Sequence, residues 1–549
     1  MSLKKVSAVA LSAAMLVSMA ACSSSASSSA ASSTAPASST APAASSTAPA
    51  ASSEAPAEFS YPMEGNPSVS YWVGVTLSKY NDNNDNLPLY KKLQEDTGID
   101  IEFVHPTVGQ EQENFNLMLA SGEYPDIIEA KYLPAASLLE DEIIIELTDI
   151  LPEYAPNLWS FLQGDPNIDR QCKNDDGQYL LFPFIRPDPL LQVSSGPMVR
   201  ADWLEKLGMD PDEVDTIAEW DVMLKGFKEQ CGAEYPFSVE SSGMLDRIMY
   251  AWETQADFSN ENGTVEYGYL RPGYKDYLIK MNEWYAAGLL DPNFPSNSKD
   301  ILRSNILTGK AGVCYGSGGS YLGVWLAAAS ESHDPENFDL TGLKYPTLEE
   351  GAVNKHGLNV QFEFSDSNGW AMVSTQCENV EAACRLLDYG YSEAGLMLYN
   401  FGIEGESYTM ENGVPTYTPA MFDTSTGKSV SDNLGYYVRA TGSGPFIQDP
   451  GYILQYYETQ QQKDALARWS AQEQKSTKMP AIVHTTDEAT EVTEIMADIK
   501  TYIAEEQFKF ISGTKSFDEF DAFIDQIKSM DIDRAIEIKQ GALDRFNAR

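Results

Sequence analysis

Basic residues and cysteines are scarce in this 549-residue sequence, and both scarcities exclude classes of function. Only 37 lysines and arginines oppose 81 aspartates and glutamates, which gives a formal net charge of −44. Because a field of that sign repels phosphate backbones and anionic headgroups, nucleic acid is not expected to be a partner. Six cysteines without a C-x-x-C pair predict neither a disulfide framework nor a structural zinc site.

Motifs for catalysis and for nucleotide or metal binding are also missing. None of the four histidines lies four residues from another, so there is no H-E-x-x-H zinc helix. The glycine-rich stretch 316–321 does not have the spacing of a serine-nucleophile elbow. The stretch Gly427-Lys428-Ser429 ends like a phosphate loop, but Phe422 stands where the first glycine is required. Acidic stretches at 165–177 and 257–263 lack the glycine of a helix–loop–helix calcium site. We therefore predict that the protein is not an enzyme and that it has no catalytic residue, no metal site and no cofactor.

The first 22 residues have the layout of an export signal. Lys4 and Lys5 precede an apolar, small-residue stretch over 6–21, which is too short to span a bilayer. The end of this stretch, together with the next residue, reads Met19-Ala20-Ala21-Cys22 and resembles a bacterial lipobox. The pattern predicts a signal peptide over 1–21 and a lipid-anchored Cys22, with the protein at the cell membrane and facing the extracellular side.

A low-complexity segment follows the predicted lipid anchor. Residues 23–57 are Ser, Ala, Thr and Pro except for one glutamate, and they repeat the hexamer SSTAPA. Such a composition cannot bury a core, so residues 22–58 are predicted to be a tether that leaves the body, 59–549, free to reorient.

The body alternates strand and helix periodicity. Val69, Tyr71 and Val73 alternate as a strand, the next apolar residues recur at helical spacing up to Gly98, and Ile99 and Ile101 return to a period of two. This order predicts an α/β lobe with a largely parallel sheet. Further along, Thr216-x-x-Glu219 and Ser516-x-x-Glu519 predict capping boxes that open two amphipathic helices.

Aromatic residues are unusual in their placement. Several of them stand at the end of a predicted strand or after a Gly- or Ser-containing stretch instead of inside apolar stripes: Trp72, Tyr132, Tyr321, Trp325, Trp370 and Tyr408. Aromatic faces at the ends of helices and strands suit stacking on sugar rings, with nearby amides and carboxylates bonding the hydroxyls. The alternative, that loop aromatics cover the edge of the core, remains open for each of them.

Signal, tether and body together resemble the lipoprotein components of ABC importers. The body is similar to the family-1 extracellular solute-binding proteins, in the large Gram-positive branch that serves oligosaccharide importers. The resemblance runs in order from about residue 67 to 547 and is carried by LYKKLQEDTGIDIEF, ASGEYPDII, GQYLLFPF, GWAMVST and NFGIEGESY. Some relatives have a calcium loop where this sequence reads KEQCGAEYPF, so the resemblance does not imply calcium here.

The resemblance implies a two-lobed α/β fold of the periplasmic-binding-protein type (type II), with a hinge and a ligand cleft between the lobes. Lobe 1 would hold about 59–184 and 371–440, and lobe 2 about 198–369 and 450–549. It implies a monomeric, non-enzymatic receptor that passes a carbohydrate to ABC permease subunits and touches the membrane only through its lipid. The same architecture with a peptide or other polar solute is one alternative. A cell-surface glycoside hydrolase or adhesion module is another.

Ligand contacts in sugar-binding relatives come from loops at the carboxyl ends of strands in both lobes and from the hinge. Transfer by position therefore predicts a set of contact residues. They are Trp72, Lys131, Tyr132, Trp370, Glu404 and Tyr408 for lobe 1 and the hinge, and Trp252, Tyr321 and Trp325 for lobe 2.

Overall fold

The computed structural model describes residues 59–130, 132–332, 337–357, 364, 369–471 and 477–549. The predicted signal peptide, Cys22, the tether and Lys131 lie outside these residues. The strands are β1 (Ser68–Trp72), β2 (Asp100–Val104), β3 (Ile127–Glu129), β4 (Ser195–Arg200), β5 (Phe258–Glu261), β6 (Thr264–Tyr267), β7 (Val313–Ser317), β8 (Leu340–Gly342), β9 (Ala371–Val373), β10 (Tyr408–Glu411) and β11 (Val414–Tyr417). The α-helices are α1 (Pro88–Thr97), α2 (Glu111–Ser121), α3 (Ala135–Glu140), α4 (Leu151–Tyr154), α5 (Pro156–Gly164), α6 (Pro166–Gln171), α7 (Pro189–Gln192), α8 (Ala201–Leu207), α9 (Ile217–Gln230), α10 (Ser242–Leu245), α11 (Gly273–Ala286), α12 (Lys299–Leu307), α13 (Val324–Ser332), α14 (Val380–Asp388), α15 (Glu393–Phe401), α16 (Val430–Leu434), α17 (Pro450–Tyr456), α18 (Gln460–Ser470), α19 (Thr486–Ile511), α20 (Phe520–Lys528) and α21 (Ile532–Ala548).

Lobe 1 is built on a four-stranded sheet with the order β2-β1-β3-β9. β1 pairs in parallel with β2 and β3, and β9 runs antiparallel to β3. The alternation of Val69 and Tyr71 places both side chains in one buried core, on which α1 also packs. α1 ends where Gly98 takes a left-handed conformation with φ of 69°. The predicted strand–helix alternation and the largely parallel sheet of this lobe are confirmed.

Lobe 2 has a three-stranded antiparallel sheet with the order β7-β4-β8. Its largest buried cluster joins α9, α11, α19 and α21, and the rings of Trp220 and Trp284 stack within it at 6.3 Å. The predicted capping box of α9 is confirmed, since Thr216 and Glu219 exchange side-chain to backbone hydrogen bonds. Helix-on-helix burial therefore supplies most of this lobe's core.

The hinge consists of chain segments that run side by side between the two lobes. Ile185 forms β-bridges with both Phe364 and Ile447, and Phe182 forms one with Ala371. The segment 477–485 is a further connection: Lys478 pairs with Ser259 in lobe 2, while Ala481 packs on the lobe-1 core. Because these segments lie next to one another, both lobes meet around them.

Within the described ranges, no helix combines the length and the apolarity that a membrane crossing requires.

Candidate functional site

The carboxyl ends of β1, β2 and β3 lie at one edge of the lobe-1 sheet, the place where ligands bind in open α/β sheets. Buried Asn84 organises the loop after β1: its side chain accepts the Thr76 N–H at 2.8 Å and donates to the Gly74 carbonyl at 3.1 Å. The Asn84 backbone N–H donates to His105 Nε2 at 3.1 Å, and His105 Nδ1 lies 2.7 Å from the Val73 carbonyl. Through these two contacts the His105 ring joins the loops after β1 and β2.

A buried ion pair fixes the end of β3. Arg439 donates two hydrogen bonds to the Glu129 carboxylate, at 2.6 and 3.1 Å, and the Tyr71 hydroxyl donates a third at 2.6 Å. The negative charge of Glu129 raises the pKa of Arg439, although burial alone would lower it. This pair joins the end of β3 to the segment that contains Arg439, and removing either partner would leave a charge buried.

A cavity of about 560 Å³ lies between the lobes. Lobe 1 contributes Tyr132 to Ala136 after β3 and the stretch Gln171 to Asn174, and the hinge contributes Phe364 and Trp370. The opposite wall comes from Met479 to His484, with Ala489 of α19 and Lys539 of α21. Its volume and its largely apolar wall with a few polar groups are those of a small-molecule site.

Two aromatic residues named from the sequence come together in this cavity. The Trp370 indole N–H donates to the Ala130 carbonyl, and its ring stacks against Phe364 at 6.3 Å. Half-buried Tyr132 rests on Phe115 with ring centroids 5.3 Å apart. Both rings are therefore held from behind, and each lines the cavity.

Two titratable side chains of the cavity wall have shifted pKa values. Burial lowers the pKa of the Lys539 ammonium below its usual range. Burial also lowers the pKa of His484, and the nearby positive charge of Lys539 lowers it further. Both groups are thus in surroundings that disfavour their positive charge.

Lobe 2 contributes a second group of polar and aromatic side chains at the end of β7. Ser317, the last residue of β7, pairs with Ser195, and a π-helical turn (Gly318–Gly323) follows. The Tyr321 hydroxyl in this turn donates to Glu240 at 2.5 Å, while the Lys299 ammonium lies 4.2 Å from the ring centroid. Burial, with Glu240 adjacent, raises the pKa of Tyr321. Tyr321 is half-buried here, with its ring in contact with a cation.

Tyr456 and Tyr457, at the end of α17, lie against the glycine-rich turn that follows β7. The ring of Tyr456, the last residue of α17, stacks on Tyr452 with ring centroids 5.9 Å apart. A side-chain carbon added at Gly319 would lie 3.3 Å from the Tyr456 hydroxyl oxygen, and one at Gly318 would lie 2.5 Å from that of Tyr457. A side chain at position 318 would therefore force Tyr457 to move, whereas one at position 319 would need only a small shift of Tyr456.

Four of the residues named from the sequence lie in the cores. Trp72, Trp252, Trp325 and Tyr408 are 4%, 8%, 0% and 7% exposed, respectively. The Trp72 ring packs edge-on against Phe115, so it supports Tyr132 from below instead of facing a ligand. Protein also surrounds the side chains of Trp252, Trp325 and Tyr408 in this conformation, so these residues differ from the sequence prediction as Trp72 does.

The rings that surround these buried residues identify their roles. Trp252 packs edge-on against Tyr277 in the main lobe-2 core, and Trp325 packs beneath Tyr321 at 5.2 Å. Tyr408 contacts Phe401 in a separate cluster around β10 and β11. Glu404 is exposed and its segment pairs with Tyr408, away from the residues that line the cavity.

Sequence reasoning missed the wall formed by Met479 to His484. That segment has no helical or strand periodicity, and its only signal is the capping pattern Thr485-x-x-Glu488 that follows it. Across the part of the chain that the structure describes, no group of three or more His, Cys, Asp or Glu side chains could hold a metal ion.

Comparisons with known proteins agree with this architecture. A family model described as "Bacterial extracellular solute-binding protein" matches residues 82–397. The lipoprotein LipO of Bacillus subtilis is 24% identical over 353 residues, which cover 60% of this chain and 66% of LipO. The fructooligosaccharide ABC transporter substrate-binding protein FusA of Streptococcus pneumoniae is 22% identical over 254 residues, covering 42% of this chain and 46% of FusA.

One solved structure shows the similarity over a longer range. A human-milk-oligosaccharide (HMO) binding solute-binding protein of Bifidobacterium longum infantis, associated with an ABC transporter, matches with a TM-score of 0.68 at 18% identity. The match covers 88% of this chain and 99% of that one. At this identity the similarity establishes the shared two-lobed fold.

Proposed function

Because this chain belongs to the bacterial extracellular solute-binding protein family, we propose that it captures a carbohydrate between its two lobes and delivers it to an ABC transporter. The observation that carries the proposal is the inter-lobe cavity, in which Tyr132 and Trp370 from one side face Met479 to His484 from the other. A ligand that contacts both walls binds the closed arrangement better than the open one, and this difference drives closure.

The chemistry of the cavity suits a sugar. A sugar ring has apolar C–H faces that stack on aromatic side chains, and hydroxyls that need several donors and acceptors. The rings of Tyr132 and Trp370 offer the first kind of contact, and the Gln171 side chain, whose Oε1 has no partner among the described residues, offers the second. Support also comes from the names of FusA and the Bifidobacterium protein, both of which refer to oligosaccharides.

We further propose that the protein is a lipoprotein on the extracellular side of the membrane. The lipobox-like Met19 to Cys22 and the similarity to the lipoprotein LipO support this. Replacement of Cys22 by Ala should then release the protein into the medium. Membrane association that is unchanged in fractionated cells would contradict the anchor.

The carbohydrate function is tested by a thermal-shift screen of the purified protein against neutral and acidic mono- and oligosaccharides. At least one should raise the melting temperature by mass action, and chromatography should recover it uncleaved. A cleaved sugar would identify a hydrolase instead. If no sugar raises the melting temperature while a peptide does, the solute class is wrong.

A substitution of Tyr132 tests whether this residue contacts the sugar. Tyr132→Ala should weaken binding of the identified sugar by about 1–3 kcal/mol, the cost of losing an aromatic contact in a buried site. Tyr124→Ala is the control, because Tyr124 is also half-buried but stands before β3, at the opposite edge of the sheet. Calorimetry that finds equal affinities for the two variants would exclude Tyr132 from the site.

A further inference from the structure

The charge of the inter-lobe cavity is opposite to that of the protein. The chain has a net charge of −44, yet among the described residues that line the cavity there is no aspartate or glutamate. The charged side chains in that lining are Lys173 and Lys539, and His484 stands with them. With 81 acidic residues in the chain, a lining that is free of carboxylates is a specific feature of this site.

The two lysines differ in how they are partnered. Lys173 donates to Asp169 at 2.6 Å and lies over the Tyr179 ring, so its charge is balanced within lobe 1. Over the described residues, Lys539 has neither a hydrogen bond nor an ion pair, and its ammonium lies 4.8 Å from the Phe258 ring centroid. Lys539 is therefore the cation of this cavity that is available to a ligand.

Two further polar atoms of the lining have no partner within the described part of the chain. They are Oε1 of Gln171, a residue that is 8% exposed, and Nε2 of His484. The Gln171 amide already donates to the Asn167 carbonyl at 3.2 Å, so its free oxygen can only accept a hydrogen bond. Buried polar atoms without a partner favour a ligand that supplies one.

We propose that the cavity accepts a carbohydrate carrying a carboxylate, which pairs with Lys539 and His484 while Gln171 Oε1 accepts a hydrogen bond from a sugar hydroxyl. This inference rests on the proposed carbohydrate function and narrows it to acidic sugars such as uronic acids. A neutral sugar would leave the cation and the ring nitrogen without an anionic partner, and a site built in this way discriminates against it.

Proton uptake follows from this arrangement. His484 faces Lys539 and Arg545, which lower its pKa, and Glu488 and Asp175, which raise it. Lys539 faces Asp257 and Lys500 from the neighbouring segments. A carboxylate entering between Lys539 and His484 raises both pKa values, so acidic-sugar binding should strengthen as the pH falls from 7 to 5.5 while the sugar remains ionised.

The test compares sugars matched in size and differing in charge. Oligogalacturonates, oligoglucuronates and oligomannuronates are screened by thermal shift beside galacto-, gluco- and manno-oligosaccharides of equal length. We expect at least one acidic series to stabilise the protein more than its neutral counterpart. Calorimetry on that series should show proton uptake, read as a binding enthalpy that changes with the ionisation enthalpy of the buffer.

Two variants locate the effect. Lys539→Met should weaken binding of the acidic oligosaccharide at least tenfold, and His484→Gln should remove most of its pH dependence. Lys528→Met, on an exposed position of α20, is the matched control and should leave both unchanged. His484→Gln also keeps the proposal testable if Lys539→Met does not fold.

The outcomes separate the two proposals. If a neutral sugar binds as tightly as its acidic counterpart and Lys539→Met leaves that affinity unchanged, the anionic specificity is wrong and the carbohydrate receptor stands. If no sugar of either series binds, both proposals are wrong.

Discussion

Asp246 is a carboxylate enclosed in the lobe-2 core. It accepts hydrogen bonds from the hydroxyls of Tyr269 and Tyr277, both at 3.1 Å, and from the Gln507 amide at 2.6 Å. Burial raises its pKa to about 6, and these three donors oppose the shift only in part. No positively charged side chain is among the causes of the shift, so the ionised form is less favoured here than in an exposed aspartate.

This raised pKa predicts a pH-dependent stability. Between about pH 4, where an unfolded aspartate titrates, and about pH 6, the folded protein binds a proton that the unfolded chain does not. The contribution of Asp246 to stability is therefore fully present below pH 4 and lost as the pH rises through 6, by about 3 kcal/mol in total. Asp388, whose pKa burial also raises to about 6, adds a parallel effect.

Asp246→Asn isolates this contribution, because Asp388 titrates equally in both proteins. Denaturant unfolding at pH 4 and pH 7 should show that the stability of wild type, relative to that of the variant, is about 2.5 kcal/mol greater at pH 4 than at pH 7. A difference between the two proteins that stays constant over this range would contradict the raised pKa.

The start of α19 belongs to the wall of the cavity. Thr485 and Glu488 form a capping box there, and Arg545 also donates to the Glu488 carboxylate at 2.7 Å. Thr485 directly follows His484, and Ala489 one turn later lines the cavity. The cap therefore fixes the position of the wall as well as the end of the helix.

Thr485→Ala should lower the free energy of unfolding by about 1 kcal/mol and weaken ligand binding, because the first turn of α19 frays. Thr216→Ala removes the comparable cap of α9, which does not line the cavity, and should cost stability without costing affinity. Calorimetry and melting of both variants compare the two caps. If the two variants lose ligand affinity equally, the position of the cavity wall does not depend on the Thr485 cap.

Helices and strands with strong periodicity were predictable from the sequence, and their exact starts were less so. Thr216-x-x-Glu219 forms the expected capping box, whereas Ser516 accepts from the Asp518 N–H and opens a short 3₁₀ turn. α20 itself begins only at Phe520. A capping pattern specifies a local turn, and the packing of Phe520 and Phe523 against the core then decides where the α-helix starts.

Aromatic residues at loop positions indicated only in part which side chains line the cavity. Tyr132 and Trp370 line the cavity, but Trp325 follows the same glycine-rich turn as Tyr321 and points into the core. Neighbouring glycines indicate a turn, but they do not indicate which of its side chains face solvent. The wall from Met479 to His484 depends on a segment that meets lobe 1 only in the folded protein, which no local pattern reveals.

Ion pairs on one side of the cavity connect the two lobes. Arg545 and Arg549 of the C-terminal segment both donate to Asp175 in lobe 1, at 2.6 to 3.0 Å, and Arg549 also reaches the Lys173 carbonyl at 2.7 Å. The Arg549 side chain is fully enclosed. Asp175 thus pairs with two guanidinium groups across the lobe boundary, and one of them, that of Arg545, also pairs with Glu488.

Asp175→Asn should lower the free energy of unfolding by about 2 kcal/mol, because Arg549 loses its anionic partner and Arg545 keeps only Glu488. Asp176→Asn is the control, since Asp176 is exposed and adjacent. Salt screens an ion pair only where solvent reaches it. We therefore expect most of the loss in unfolding free energy caused by Asp175→Asn to persist in 1 M salt. Equal unfolding midpoints for the two variants would show that these ion pairs do not stabilise the lobe arrangement.

A crystal structure of the protein with the carbohydrate that stabilises it most would test whether the two lobes together form a sugar site. The account predicts the sugar in the inter-lobe cavity, with its rings against Tyr132 and Trp370 and its other face toward Met479 to His484. A sugar bound to the outer surface of a single lobe, with this cavity empty, would contradict it.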